Sequence, residues 1–183
     1  MDGFQLNIPW PSISELEIFR EAEISPHNRC RIVLQLGREA MLQVNYGATT
    51  KVAEMVEHYI PLIDDVLIDA SQGTGKPLDT ERAREYLREF KERGFRIGFG
   101  VAGGFGPYTP YIVERLLDEF PDLSIDAQAA LRDKKTDDID VSLAETYLQN
   151  AIRMFEGHQK EKEKERELLN QPRREDWKVD IGD

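Results

Sequence analysis

The stretch "VLIDASQGTGKPLD" (residues 66–79) runs from apolar Val66, Leu67 and Ile68 into Asp69, then into a Gly-Thr-Gly-Lys turn. Whether it is a nucleotide-binding loop or the end of a buried strand decides the fold. A P-loop needs Gly, four residues, then Gly-Lys-Ser/Thr, so that backbone amides wrap a phosphate and the hydroxyl holds magnesium. With Gly75 and Lys76 as the Gly-Lys pair, the first glycine falls on Ala70 and the hydroxyl on Pro77, which has no amide to donate. The P-loop reading fails. What remains is a carboxylate at the carboxyl end of a buried strand, the end at which parallel α/β folds bind ligands. Burial of this kind raises a carboxyl pKa and favours proton transfer, so Asp69 is a candidate catalytic residue. The competing reading is a cap on the loop amides of Ser71 to Gly73.

Outward from this stretch the chain alternates two textures. Strand-like runs cover 4–7, 31–37, 65–70, 96–104 and 123–128, and helical patterns follow at 14–22, 50–60, 79–93, 108–120 and 138–155. The segment "LDTERAREYLREFKERG" shows the signals in full. Asp79 or Thr80 caps it, Ala83, Leu87 and Phe90 recur at helical spacing, and Gly94 stops it. The repeat of about 30 residues is the size of a βα unit. The runs at 31–37, 65–70 and 96–104 read as apolar on both faces, which suits a parallel sheet covered by helices. Five such units predict a doubly wound sheet or part of a (βα)8 barrel, over residues 1–155. From Glu156 the chain is almost wholly charged, and residues 156–183 read as a solvated helix extension with a flexible end.

Composition narrows the function. Of 183 residues 40% are hydrophobic, enough for one packed domain, and the net charge of −11 argues against a nucleic-acid surface, which needs clustered Lys and Arg. No run approaches the roughly 18 apolar residues of a membrane helix, and the start lacks a signal-peptide pattern, so the expectation is a soluble cytoplasmic protein. Cys30 is the only cysteine, which excludes an internal disulfide and any Cys-based metal site. His27, His58 and His158 share no ligand spacing, so no zinc site is expected. Arg132, Lys134 and Lys135 could meet an anion but read better as a solvated turn, and Trp10 reads as a loop anchor.

A second constellation supports Asp69. In "GFGVAGGFGPYTP" (98–110) a strand ends in Gly103-Gly104, where glycines let backbone amides approach a phosphate. In "LSIDAQAALR" (123–132) the last strand carries Asp126.

Taken in order, Asp, Gly-Thr-Gly-Lys-x-x-Asp, helix, strand ending Ala-Gly-Gly, helix, strand with Asp resembles the phosphoribosylanthranilate isomerase family, over roughly residues 3–155. The earlier "DGFQLN" is similar to that family's fourth strand and "RIVLQLG" to its fifth. The resemblance implies a partial (βα)8 TIM barrel holding strands four to eight, with the charged helical tail added. It also implies an Amadori rearrangement on a small phosphorylated sugar, without metal or organic cofactor. Asp69 matches the general acid. Gly73, Gly75 and Lys76 match the turn that follows it, Gly103 and Gly104 the phosphate cradle, and Asp126 a supporting carboxylate. The departures are clear. The family's cysteine base lies on a first strand outside this chain, and Cys30 sits at the opposite end of the sheet. "AQAA" stands where the cradle has Ser-Ser-Gly, and Asn7 stands where it has histidine. The alternative is a non-catalytic partial barrel. In both cases five units leave two open strand edges, which calls for self-association or a partner chain that completes the barrel.

Overall fold

The computed structural model describes residues 3–23, 29–44, 48–69 and 77–170. Five short strands, β1 (Gly3–Leu6), β2 (Arg31–Leu36), β3 (Asp65–Asp69), β4 (Gly98–Ala102) and β5 (Ser124–Asp126), pair in parallel, each with its neighbour in the chain. With them go α1 (Ile13–Ala22), α2 (Arg38–Gln43), α3 (Thr49–Glu57), α4 (Thr80–Glu92), α5 (Glu114–Leu117) and α6 (Val141–Leu169), and 3₁₀ turns at Pro110–Val113 and Ala129–Leu131. A doubly wound sheet must reverse its strand order at a switch point. This sheet never reverses, so that alternative falls; it curls instead into a half-barrel with helices outside.

Cross-strand register shows what the two faces are made of. The rows Leu6–Leu34–Val66–Phe99 and Leu36–Ile68–Val101–Ile125 are wholly apolar and form part of the core packed against the helices. The concave rows have the opposite character: Gln5–Val33–Asp65–Gly98, Gln35–Leu67–Gly100–Ser124 and Asp69–Ala102–Asp126. The expectation of two apolar faces is therefore met only in part: it holds in the middle of β3, where Val66, Leu67 and Ile68 are all buried. One face is wholly apolar; the other is mixed, with Val33 and Leu67 among polar and small residues.

Polar groups buried on that face need partners. Gln5 Nε2 donates to Gln35 Oε1 at 2.7 Å, and Gln35 Nε2 donates to Asp69 Oδ2 at 3.2 Å. Arg31 grips the buried Asp65 with two nitrogens, Nη2 lying 2.5 Å from Oδ1. Gly98 makes that grip possible, since a Cβ there would overlap the Asp65 carboxylate and stand 2.9 Å from its Cγ.

The helices form for local reasons. Asp79 accepts the Arg82 N–H at 3.0 Å and starts α4, which buries Ala83, Leu87 and Phe90. Gly94 (φ 75°) ends it: Phe95 N–H reaches back to Phe90 C=O at 3.1 Å, and the two rings stack. The helix expected at 108–120 is broken into a 3₁₀ turn and a four-residue α5. Asp140 accepts the Leu143 N–H and starts α6, which buries Tyr147, Ala151, Met154 and His158 and continues to Leu169 through much of the charged segment. Residues 171–183 lie outside the described residues.

At the amino ends of the strands Arg20 acts as a clamp. It donates to Leu62 C=O (2.8 Å), Cys30 C=O (2.7 Å), Glu23 (2.9 Å) and Asp64 (2.6 Å), and Asp64 also accepts the Ile32 N–H (2.8 Å). Cys30 is buried at this end, as expected. Among the described residues β1 pairs only with β2 and β5 only with β4. No helix among them is long and apolar enough to cross a membrane.

Candidate functional site

The carboxyl ends of the strands open onto a cleft of about 320 Å³. It is lined by Asn7 after β1, Gln35 of β2, Asp69 of β3, the run Ala102–Phe105 leaving β4, and Asp126 to Ala130 leaving β5. Asp69, Gly103, Gly104 and Asp126, singled out from three separate stretches of the sequence, all border this one cleft. Gly73, Gly75 and Lys76 lie outside the described residues, as does His27.

Strand parity explains the convergence. Asp69, Ala102 and Asp126 share a row on three adjacent strands, so both carboxyls rise from the concave face with a methyl group between them. Two strand spacings put their Cα atoms about 9–10 Å apart, less whatever the curl takes off. Ala102 leaves that space open for a ligand.

The two acids are held differently. Asp69, half-buried, takes the Gln35 amide, which is itself fixed by Gln5. Burial, and then the charge of Asp69, raise Asp126 above the ordinary carboxyl range, against the pull of the Ala127 N–H. Behind it, burial and the charge of Asp126 push the Tyr147 phenol up to about 12. The Tyr147 hydroxyl is buried and has no hydrogen-bond partner among the described residues. A carboxyl that holds its proton more firmly than usual, beside one that accepts an amide donor, is a pair suited to general acid–base work.

The rim beside β4 is a shaped loop. Gly103 (φ 123°) and Gly104 (φ 65°) adopt backbone angles that favour glycine. Thr109 Oγ1 accepts the Gly106 N–H at 2.8 Å and closes the turn. A second recess of about 210 Å³ adjoins the cleft and shares Asn7, Gln35 and Asp69 with it; Ile8, Pro9 and the run Gly37–Ala40 form the rest of its wall.

Other sequence candidates stay out of the cleft. Arg132, Lys134 and Lys135 belong to a closed turn, in which Asp133 accepts the N–H groups of Lys135 and Thr136 and Arg132 donates to Asp137 C=O. Trp10 (φ 44°) anchors its loop by donating to Ala40 C=O at 2.9 Å and packing on Tyr59. Among the described residues no group of three His, Cys, Asp or Glu side chains could hold a metal ion. Gln5, Gln35, Ala102 and Arg38 were not anticipated. The cross-strand register puts the first three on the same face of the sheet as Asp69 and Asp126. Comparisons with protein-family models, with curated proteins and with solved structures find no match for this chain.

Proposed function

We propose that the cleft is an acid–base site that isomerises a sugar-like substrate by moving a proton between neighbouring carbons, the chemistry that phosphoribosylanthranilate isomerases perform. The observation that carries this reading is the row Asp69–Ala102–Asp126, two carboxyls facing one gap at the ligand-binding end of a parallel sheet. Asp126, which holds its proton more firmly, donates to the atom doubly bonded to C1 of the open-chain substrate, the oxygen of an aldose or the imine nitrogen of an N-glycoside, while Asp69 removes the proton on C2. The enediol or enaminol collapses when Asp69 returns its proton to C1 and Asp126 takes the proton from the C2 hydroxyl. Both carboxyls end as they began. Asp126 is thus the acid, where the resemblance alone gives that role to Asp69 and leaves Asp126 in support.

The test is exchange of the C2 proton of ribose 5-phosphate and of phosphoribosylanthranilate in D2O, followed by proton NMR. The expected result is protein-dependent loss of the C2 signal from at least one of them. Asp69→Asn and Asp126→Asn should each slow it by roughly 10²–10⁴-fold. Absence of exchange from both compounds sinks the reading.

The open edges of β1 and β5 favour a second reading, in which the chain continues its sheet onto another protein chain. Light scattering after size exclusion decides it: a clean 21.1 kDa monomer at about 100 μM, with no partner retained, counts against it.

A further inference from the structure

Three recesses run along the concave face and rim, and they share walls. The main cleft and the recess beside α2 share Asn7, Gln35 and Asp69, and the main cleft meets a recess of about 240 Å³ on the concave face at Asp126. Among the described residues two cations line this connected space, Arg31 and Arg38. They differ in a way that matters. Arg31 is committed to Asp65, held by two nitrogens. Arg38 makes no hydrogen bond or ion pair among the described residues, although Glu39 lines the same recess.

We infer that the ligand of this site carries an oxyanion end, a phosphate or a carboxylate, which binds at Arg38 in the recess between Pro9 and α2. This rests on the acid–base reading for where the reacting carbons lie, over Ala102, and adds where the charged end goes. Geometry gives the direction. Asp69 is shared by both recesses, so a molecule that meets Asp69 and Asp126 at one end extends past Asp69 towards Arg38 at the other. Chemistry gives the class. The described walls of the main cleft bring two carboxyls and no cation, so an anionic group is disfavoured between Asp69 and Asp126 and favoured where an uncommitted guanidinium offers its paired donors. The charged end is therefore assigned to the β2 side of the rim, away from Gly103 and Gly104.

The experiment titrates ¹⁵N-labelled protein with ribose 5-phosphate, with ribouronate, whose carboxylate stands at C5, as the carboxylate probe and with ribose as the neutral control. The readouts are the Arg38 Nε–H signal and the backbone amides of residues 37–40 and 103–105. In the native protein the anionic probe is expected to shift Arg38 and residues 37–40 and to bind at least tenfold more tightly than ribose. Which of phosphate or carboxylate binds better identifies the natural end group. In Arg38→Gln the advantage over ribose should vanish while ribose binding is unchanged, and Arg38→Lys should restore part of it. An anionic probe that moves only residues 103–105, or that binds Arg38→Gln as well as the native protein, overturns the inference and leaves the carboxyl pair untouched. No preference for anionic probes over ribose overturns it equally. Failure of the acid–base reading shows separately, as absence of C2 exchange.

Discussion

Gly98 sits beneath a salt bridge, and replacing it with alanine tests how the concave face is built. A Cβ at 98 would overlap the Asp65 carboxylate, stand 2.9 Å from Asp65 Cγ and 3.4 Å from Arg31 Nη2. Asp65 is a short, buried side chain and has to turn away, giving up both bonds to Arg31. Charge-assisted hydrogen bonds contribute about 1.5–3 kcal/mol, and Arg31 is 62% exposed, so about 2 kcal/mol is the expected loss. Alanine also restricts the unfolded chain, which offsets this by about 0.5 kcal/mol. Gly98→Ala should therefore cost about 1.5 kcal/mol, or a Tm about 3–6 °C lower for a chain of this size. The decisive comparison is the same substitution in an Asp65→Ala background, where the overlapping atoms are gone and the cost should fall to zero or below. Urea unfolding followed by circular dichroism measures all four proteins. An equal cost in both backgrounds, or none in the native one, refutes the packing described for this face.

Asp126 binds its proton more firmly when folded, so the stability it contributes is present below the ordinary carboxyl range and is lost as pH rises through the folded value. Asp126→Asn, which has no proton to lose, should accordingly be more stable than the native protein at pH 7 and equal to it near pH 3, as read from urea midpoints. Arg20→Ala removes the clamp at the other end and should cost about 2–3 kcal/mol in the same assay. Asp64 lies below its ordinary value, because the Ile32 N–H and Arg20 outweigh burial. Glu23 lies low through the Cys30 N–H and then Arg20. Their contribution is present above the carboxyl range and lost as pH falls, so the acid limb of the native stability profile should be flatter in Arg20→Ala; an unchanged limb contradicts this. Tyr147→Phe deletes a buried hydroxyl without a partner among the described residues and should stabilise by about 1 kcal/mol, visible as a higher Tm.

Much of the frame was legible because it depends on periodicity. Ala83, Leu87 and Phe90 mark one face of α4 as clearly in the sequence as in the structure, and all five strands fall inside the runs expected of them or within a residue of them. Asp69 and Asp126 could be singled out because an acid closing an apolar strand is conspicuous. The concave face was harder. In "RIVLQL" the residues Arg31, Val33 and Gln35 share one parity and Ile32, Leu34 and Leu36 the other. Over six positions such alternation is easily read as continuous apolarity once Val33 is counted as core. The short α2 was missed for lack of length, since six residues make under two turns and its N-cap Gly37 offers no side-chain hydrogen bond to announce it. Arg38 went unnoticed with it, because nothing local distinguishes an arginine facing a ligand from one facing water.

The inner lining formed by Arg31, Asp65, Gln5 and Gln35 restricts what could ever complete the curve. Closed barrels of parallel strands fill their lumen with branched aliphatic side chains. Here Val33 and Leu67 accept aliphatic neighbours, but a wholly aliphatic plug would strip water from the remaining donors and acceptors of Gln5, Gln35 and Arg31 without replacing it. A strand added at either open margin therefore has to bring some amides, hydroxyls or trapped water to the inside, and the finished tube would have a partly wet bore.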